Sequence, residues 1–491
     1  MKKLYVSTRG RQKAVSFYQA ILQGLGSDGG LLVPDFDFPT LDIKKLSKLS
    51  YVELATEIVS HFVPDDGKEC LHQACNAAYG KSLFPEHVVP VEKVGNIFVA
   101  ELFHGQTAAF KDIALSLLPH LMTLSLKQMK EQREVLILAA TSGDTGKAAL
   151  EGFKDVPGTN LKVFYPIEGV STIQQQQMVT QLGDNIDVIG IKGNFDYAQT
   201  AVKQAFASEE LKLLCKQKNI FLSSANSINI GRLIPQIVYY FYSYFALVSA
   251  GEIKIGDAVN YCIPSGNFGN ALAGYFAKMM GLPVHKFICA SNKNDILTDF
   301  FTTGTYNVNR NFYKTNTPAM DIIISSNLER LVYYMVEKNG EKVKQYMQDL
   351  QKNGIYKVDD EVLQKITNQF EAGMLDEDEV LEVIKLCYQE TNYLLDTHTA
   401  IGYGVLKQYQ MNTKDETKSI VLATASPYKF PEAVYQGIFD ESLDAYTAID
   451  QLYKKTAVEI PLPLQDIQNK KVLHDIVIDK TKIMTYIKNN L

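Results

Sequence analysis

The residue with the clearest chemistry in this sequence is a lysine, Lys111, which stands between a predicted strand and a predicted helix. The alternating run NIFVAEL predicts a strand that ends near Leu102, and apolar residues at helical spacing after Lys111 predict a helix. Phe110 and Ile113 flank the lysine and favour a buried position, where desolvation lowers the pKa of an amine. A neutral amine attacks carbonyl carbons, so the segment predicts covalent catalysis through a Schiff base. The alternative is a solvated lysine that pairs with Asp112.

A glycine-containing turn, PSGNFGN, follows the predicted strand AVNYCI and opens a predicted helix. Gly266 and Gly269 free the backbone to aim several N–H groups at one point of a helix N-terminus, which is how proteins bind phosphate. The alternative is a tight strand-to-helix turn that needs glycine for packing alone.

A second glycine turn, ATSGDTGKAA, also lies between a strand and a helix. It does not match the Walker nucleotide-binding loop, because Thr141 and Ala148 stand where that loop needs a glycine and a serine or threonine. The hydroxyl and amide groups of residues 141–145 suit a small carboxylate instead. Alternatively, Ser142 and Asp144 do no more than cap the helix.

A third polar turn, ANSINIGR, precedes an uncharged segment, 233–250. Asn226, Ser227 and Arg232 are candidates to bind an anion together, since arginine donates parallel hydrogen bonds to phosphate. The alternative is a capping loop with Arg232 in a surface salt bridge. The uncharged segment approaches membrane-spanning length, but the four tyrosines in its middle favour a helix buried inside a globular domain.

The composition is that of a globular protein, with 491 residues of which 46% are hydrophobic and 21% are charged. The net charge is -6 and the basic residues are dispersed, so the sequence predicts no nucleic-acid partner. The six cysteines form no CxxC pair, which predicts neither a metal site nor a disulfide framework and fits a reducing compartment. No apolar segment of signal-peptide length follows the basic N-terminus, so we expect a cytoplasmic protein.

Strand-like runs from VLILAA to DIIISS alternate with helical patterns, which predicts βαβ units and therefore an α/β fold with parallel sheet. The expected organisation has four parts. They are a mainly helical N-terminal domain, 1–90; an α/β core with two subdomains, 91–328, the smaller at roughly 112–225; a helical insertion, 329–394; and a C-terminal part that completes the core, 395–491.

Seven segments, taken in order, resemble the threonine synthases, which are pyridoxal-phosphate enzymes of the tryptophan-synthase β-like family, fold type II. These segments are YVSTRG, FHGQTAAFKD, ATSGDTGKAA, SANSINIGR, PSGNFGN, DTHTAIGYG and TASPYKFP. The resemblance runs nearly end to end. It implies two open α/β domains built on parallel sheets, an N-terminal helical domain and a helical insertion.

The resemblance also implies roles for residues. Lys111 would form the Schiff base with pyridoxal 5'-phosphate and then act as general base. The cofactor phosphate would lie on Gly266, Asn267, Phe268, Gly269 and Asn270, and the pyridine nitrogen beside Thr424. The substrate carboxylate would bind at Thr141, Ser142, Asp144 and Thr145, and the substrate phosphate at Asn226, Ser227 and Arg232. No metal is implied.

The implied reaction converts O-phospho-L-homoserine and water to L-threonine and phosphate, the last step of threonine biosynthesis, in a monomer or homodimer. Two rivals remain open: a phospholyase or dehydratase that makes a 2-oxo acid on the same scaffold, and a catalytically silent ligand-binding protein. Two positions depart from the family pattern, since Ser426 replaces the usual histidine and Gln106 the usual proline. They bear on the packing of the cofactor ring and on the shape of the loop before Lys111.

Overall fold

The structure, a computed structural model, describes residues 3–84, 87–193 and 195–491. The strands of these residues are β1 Leu4–Ser7, β2 Val15–Ser16, β3 Leu32–Pro34, β4 Val91–Val94, β5 Ile97–Glu101, β6 Glu134–Ala140, β7 Thr159–Pro166, β8 Ile186–Lys192, β9 Ile220–Ser223, β10 Val259–Pro264, β11 Val284–Ser291, β12 Thr305–Asn307, β13 Ile355–Lys357, β14 Phe370–Met374, β15 Ser419–Ala423 and β16 Val477–Asp479.

The α-helices are α1 Phe17–Gln23, α2 Ile43–Leu46, α3 Tyr51–Ser60, α4 Leu71–Tyr79, α5 Lys111–Met129, α6 Asp144–Phe153, α7 Thr172–Val179, α8 Phe195–Ala207, α9 Glu209–Gln217, α10 Ile230–Leu233, α11 Ile237–Ser249, α12 Gly269–Met279, α13 Ile296–Thr303, α14 Leu328–Met335, α15 Gly340–Asn353, α16 Asp360–Thr367, α17 Glu377–Thr391, α18 Thr397–Thr413, α19 Pro431–Phe439, α20 Ala445–Thr456 and α21 Ile483–Asn489. Short 3-10 helices lie at Asp65–Cys70, Ile234–Gln236, Pro318–Met320, Pro427–Lys429, Leu462–Leu464, Ile467–Asn469 and Lys480–Lys482.

The larger sheet has the strand order β14-β11-β10-β15-β5-β4, and all its pairs are parallel except that of β4 with β5. Its central strand β10 is buried throughout because both faces are covered, and it is mostly apolar. Tyr261 and Ile263 belong to the apolar cluster on one face, and Cys262 to the cluster on the other. These strands therefore place their carboxyl ends at one edge of a rigid layer.

The smaller sheet, β16-β8-β7-β6-β9, is parallel throughout. An apolar cluster on one face joins Leu138 and Phe164 of the sheet to Ile483 and Ile487 of α21. The C-terminal part of the chain thus returns to the smaller sheet and supplies both an edge strand and a covering helix.

The N-terminal region holds the antiparallel sheet β2-β1-β3 as well as helices. It is tied to α14 by Thr8, which donates to Glu329 Oε1 at 2.5 Å, and by the Arg9–Glu329 ion pair at 2.9 Å. The segment 329–394 is largely helical but includes β14, which pairs with β11 of the larger sheet. We propose the four-part division given above as the domain organisation, with β16 and α21 assigned to the smaller subdomain.

The prediction that the run DIIISS forms a strand is wrong, because the backbone of residues 321–326 is irregular. The Asp321 carboxylate accepts hydrogen bonds from Asn292 at 2.8 Å and from the Thr315 backbone N–H at 2.9 Å. The Ser325 N–H donates to the Tyr306 hydroxyl at 2.7 Å. The same hydroxyl donates to the Ile323 carbonyl at 3.0 Å. Tyr306 thus takes backbone hydrogen bonds that a neighbouring strand would need, and the apolar run joins no sheet.

The uncharged segment 233–250 forms the end of α10, a 3-10 turn and α11, and is largely buried, as expected. Among the residues that the structure describes, no helix is both long and apolar enough to cross a membrane. Tyr239 and Tyr240 of α11 donate to Asn270 Oδ1 at 2.6 and 2.8 Å. The helix is therefore a buried support for the turn that begins α12.

Candidate active site

Residues that directly follow strands of both sheets line one cavity. Open parallel sheets bind ligands at the carboxyl ends of their strands, and this cavity lies at those ends of β6, β9, β10 and β15. Its wall includes thirteen of the residues proposed from the sequence: Lys111, Thr141, Ser142, Thr145, Asn226, Ser227, Arg232, Gly266, Asn267, Phe268, Gly269, Asn270 and Thr424. Asp144 does not line the cavity and lies directly behind Lys111.

Lys111 is the first residue of α5, and its side chain is only 12% exposed. Its Nζ donates to Asp144 Oδ2 at 3.3 Å and lies 5.2 Å from the centroid of the Phe110 ring. Burial is the largest influence on this amine and lowers the pKa of Lys111, although the charge of Asp144 opposes the change. A lowered pKa raises the neutral fraction of the amine, which is the nucleophilic form.

The loop before Lys111 is fixed by short hydrogen bonds. The Phe110 N–H donates to the Thr424 carbonyl at 2.8 Å, beside a bridge between Ala109 and Ala425. Thr107 donates to the Asp112 carboxylate through its N–H at 2.8 Å and through its hydroxyl at 2.5 Å. Burial raises the pKa of Asp112 to about 6. These contacts hold the first turn of α5, and with it Lys111, against β15.

The carboxylate of Asp144 is shared by two lysines. Its Oδ1 pairs with Lys429 Nζ at 2.9 Å and accepts from Gln174 at 2.8 Å, while its Oδ2 accepts from Lys111. Although burial opposes ionisation, Lys429 and Lys111 hold the pKa of Asp144 well below its usual range. A buried anion in this place stabilises the positive charge of the lysines, whereas it would repel a substrate carboxylate. Sequence reasoning did not single out Lys429, whose only signal was its place in TASPYKF.

The turn at the N-terminus of α6 is shaped by Thr141 and Gly143. The Thr141 hydroxyl accepts from the N–H groups of Gly143 at 2.9 Å and Gly146 at 2.8 Å. Gly143 has φ 127°, and a Cβ atom there would lie 2.3 Å from Gln174 Cδ, so only glycine fits. The hydroxyls of Ser142 and Thr145 line the cavity, and no described residue bonds to them. These hydroxyls and the helix N-terminus are suited to an anionic group.

The first turn of α12 contains a buried donor without a partner among the described residues. Phe268 has φ 62°, which reverses the chain so that α12 starts at Gly269. Asn270 accepts two tyrosine hydrogen bonds at its Oδ1, and its buried Nδ2 has no hydrogen-bond partner among the described residues. The N–H groups of a first helical turn also lack partners within the helix. Since an unsatisfied buried donor is costly, the turn fits a phosphate group.

Arg232, on α10, is buried and faces no carboxylate among the residues described. Its side chain donates to the Ala225 carbonyl at 2.7 Å, and its Nε is buried without a partner. Burial lowers the pKa of Arg232 to about 10. The structure therefore excludes the surface salt bridge considered above. Asn226 fixes the same turn by donating to the Ala140 carbonyl at the end of β6, at 3.0 Å.

A second buried arginine, Arg330 of α14, supports this turn from behind. It donates to the carbonyls of Leu32 at 3.1 Å, Ser227 at 3.4 Å and Ile228 at 2.6 Å, and also bonds to Asn327. Nothing in the sequence around Arg330 indicated this role, because its partners lie far away along the chain. The turn that carries Ser227 is thereby linked to α14, outside both sheets.

His398 also lines the cavity and was missed by sequence reasoning, although it belongs to the segment DTHTAIGYG. Its Nδ1 lies 3.0 Å from Asp396 Oδ1, and its Nε2 accepts from the Ala319 N–H at 3.3 Å. Both nitrogens are thus engaged by the protein. The histidine helps to fix the cavity wall at the start of α18.

The two departures from the family pattern serve local structure. Gln106 donates to the Leu83 carbonyl at 3.1 Å and so ties the loop before Lys111 to the N-terminal region. The Ser426 hydroxyl accepts from the Tyr428 N–H at 3.3 Å and caps the 3-10 helix that carries Lys429.

Two open α/β layers with a buried lysine and a helix N-terminus between them define the fold of the type II pyridoxal-phosphate enzymes. Family models described as "Threonine synthase N terminus" and "Threonine synthase, C-terminal" match residues 4–79 and 399–472. Threonine synthase of Saccharomyces cerevisiae is 36% identical over 88% of this chain and 88% of its own length. The chain belongs to the threonine synthase family.

Solved structures agree with this assignment. Pyridoxal-phosphate-bound threonine synthase from Brucella melitensis superposes with a TM-score of 0.86, at 35% identity and 99% coverage of both chains. The yeast threonine synthase structure gives a TM-score of 0.87 at 32% identity, covering 99% of this chain and 98% of its own. Human threonine synthase-like 1 is 36% identical over 95% of this chain. This chain spans only 62% of that longer relative.

Proposed function

We propose that this protein is a pyridoxal-phosphate-dependent threonine synthase, which converts O-phospho-L-homoserine and water to L-threonine and phosphate. The observation that carries the proposal is that one cavity joins the buried Lys111 to two separate unsatisfied donors, Asn270 Nδ2 and Arg232 Nε. The reaction needs two phosphate sites, one for the cofactor and one for the substrate. Membership of the threonine synthase family supports the same conclusion.

The residues present fit the cofactor. Lys111 supplies the amine for its aldehyde carbon, residues 266–270 its phosphate site, and Thr424 a hydroxyl for its pyridine nitrogen. When bound, the cofactor supplies an electron sink for negative charge that develops at the substrate Cα. A hydroxyl beside the pyridine nitrogen, unlike a carboxylate, leaves that nitrogen without a proton and keeps the sink mild.

The side chains of the cavity would supply the general base and the site for the substrate carboxylate. We assign Lys111 as the general base that removes the Cα proton, because burial and the neighbouring cations favour its neutral form. The α6 turn, with Thr141, Ser142 and Thr145, would hold the substrate carboxylate. We place Asp144 in this group as the partner of Lys111, since both its oxygens bond to lysines.

The substrate phosphate would bind at the turn before α10. Arg232 offers its free Nε, and the hydroxyl of Ser227 lines the cavity without a partner among the described residues. Asn226 keeps this turn against β6. This turn lies next to the start of α12, because a Cβ at Gly269 would be 3.9 Å from the Cβ of Ser227.

The decisive experiment incubates cofactor-loaded protein with O-phospho-L-homoserine, measures the phosphate released and identifies the organic product by mass spectrometry. Phosphate with an equal amount of threonine supports the proposal. Phosphate with 2-oxobutyrate instead would establish a phospholyase. Cofactor binding without any phosphate release would overturn the substrate assignment, and failure to bind cofactor would favour a silent ligand-binding protein.

We also propose a cytoplasmic location and a monomeric or homodimeric state. The location is supported by the six cysteines, all of which are free and five of which are buried. Light scattering coupled to gel filtration tests the oligomeric state, and a labelled protein followed by microscopy or fractionation tests the location.

A further inference from the structure

A second lysine, Lys429, lies behind Lys111 and is completely buried. Its Nζ pairs with Asp144 Oδ1 at 2.9 Å and donates to Gln177 Oε1 at 2.7 Å and to the Thr107 carbonyl at 3.1 Å. Three acceptors match the three N–H donors of an ammonium group. All the N–H donors of a Lys429 ammonium group are therefore used within the protein.

Asp144 connects this lysine to the cavity, because its two oxygens contact different lysines. Oδ1 contacts Lys429 and Oδ2 contacts Lys111, the second at 3.3 Å. The Asp144 side chain is 2% exposed, so an ionised carboxylate needs a cation beside it at all times. Lys111 cannot be that cation continuously, since its amine must bond to the cofactor and be released again during turnover.

We propose that Lys429 is a positioning residue that neutralises Asp144 whether or not Lys111 is bonded to the cofactor, and so holds the Lys111 amine in place. This inference rests on the proposed role of Lys111 as the cofactor lysine. With Lys429 as its main partner, Asp144 draws a proton onto Lys111 less strongly. Its Oδ2 still marks the place to which the released amine returns.

The contacts of Lys429 also explain how the position is fixed. Gln177 belongs to α7, Thr107 to the loop before α5, and Asp144 to the first turn of α6. The loop that carries Thr107 is in turn bound to β15 through Phe110 and Thr424. Lys429 thus joins the three segments that surround the base of Lys111.

Removing the positive charge of Lys429 should favour the protonated form of Lys111. Among the described residues, the charged or titratable groups near the two lysines include Asp144, Lys147 and Glu151 of α6, Asp112 of α5 and Arg232 of α10. Lys203 of α8 and His398 of α18 line the same cavity. Without Lys429, Asp144 pairs with Lys111 alone, and Lys111 faces one cation fewer. Both changes favour the ammonium form of Lys111, so its amine should react only at higher pH.

The test measures cofactor capture rather than turnover. Apoprotein of Lys429→Met, which keeps the length of the side chain, is mixed with pyridoxal phosphate over a range of pH above 7. Capture is followed by visible absorbance, and borohydride reduction with peptide mass spectrometry verifies attachment at Lys111. We expect the midpoint of the rate–pH profile to rise by about one unit, which slows capture about 10-fold at neutral pH. Lys418→Met, at an exposed lysine directly before β15, is the matched control and should leave the profile unchanged.

Further variants separate positioning from stability. Adding Asp144→Asn to Lys429→Met should move the midpoint back to lower pH, because Lys111 then loses the anion that retains its proton. If Lys429→Met does not fold, Lys429→Gln, which keeps a donor near Thr107, should show the same upward shift. A folded Lys429 variant with lowered thermal stability and an unmoved midpoint would overturn the inference. Wild-type protein that captures no cofactor would overturn the proposed function instead.

Discussion

Four largely buried cations at or behind the cavity fall into two groups that differ in how completely their donors are used. Lys111 and Arg232 line the cavity and make few contacts: Lys111 donates once, at 3.3 Å, and the Nε of Arg232 has no partner among the described residues. Lys429 and Arg330 lie behind them and bond to three and four acceptors, respectively. Burial alone therefore does not identify a binding group; Arg232 is singled out because it is buried, has an unused donor and lies in the wall of the cavity.

The difference between the two groups shows how a buried polar site is stabilised without its ligands. The rear cations donate to buried backbone carbonyls, and Lys429 also places a positive charge beside the buried Asp144 carboxylate. The front cations are left with donors that only an anion or a carbonyl can use. We expect substitutions at the front to reduce chemistry or binding, and substitutions at the rear to reduce stability or alter the pH response.

The largest effect should come from Lys111→Ala. Without the amine, covalent capture of the cofactor and removal of the Cα proton are both lost, so we expect turnover to fall at least about 10,000-fold. Visible absorbance and phosphate release measure the two losses. Lys127→Ala, at an exposed lysine on the same helix, is the control. Retained threonine formation in Lys111→Ala would refute the assignment.

Next in size is Arg232→Met. Loss of charge-assisted hydrogen bonds to the substrate phosphate should raise KM for O-phospho-L-homoserine by about 10- to 100-fold. Cofactor absorbance should persist, and the free energy of unfolding should change by no more than about 1 kcal/mol, because only the Ala225 carbonyl loses a donor. Arg133→Met, at a partly exposed arginine paired with Glu131, is a control. Release of the cofactor from Arg232→Met would show that this arginine binds the cofactor phosphate and not the substrate phosphate, which would contradict our proposal.

Arg330→Met should behave in the opposite way. The carbonyls of Leu32, Ser227 and Ile228 would lose buried donors, and we expect the free energy of unfolding to fall by about 3 kcal/mol. Urea titration of both methionine variants measures the contrast. Equal destabilisation by Arg232→Met and Arg330→Met would abolish the distinction between front and rear cations.

The smallest effect concerns Asp112, the acid next to Lys111. Its pKa is raised from 3.8 to about 6, so the native state keeps this proton while the unfolded chain has already lost it. Its contribution therefore stabilises the fold at acid pH and is lost as the pH rises through about 6. The unfolding free energy of Asp112→Asn minus that of wild type should therefore increase by about 2 kcal/mol when the pH is raised from 4.5 to 7.5. A constant difference across these pH values would contradict the raised pKa.

Much of the architecture could be predicted from the sequence. The predicted strand-like runs other than DIIISS became β5 to β11, and their alternation with helical patterns gave parallel sheets. The failure at DIIISS shows the limit of such patterns. An apolar run forms a strand only if a neighbouring strand takes its backbone hydrogen bonds. Here the Ser325 N–H donates to the Tyr306 hydroxyl and the Ile322 N–H to the Met320 carbonyl instead.

The sequence by itself determined which residues could do chemistry. A lysine between a strand and a helix and three polar turns are local features, because strand, turn and helix propensities act over a few neighbouring residues. Only the tertiary structure decided which of these polar groups are free for a ligand. Thr107 and Lys429 meet although they are 322 residues apart, and Arg330 reaches a turn more than a hundred residues earlier. Whether a buried donor is satisfied depends on such contacts between distant segments, and no local pattern encodes them.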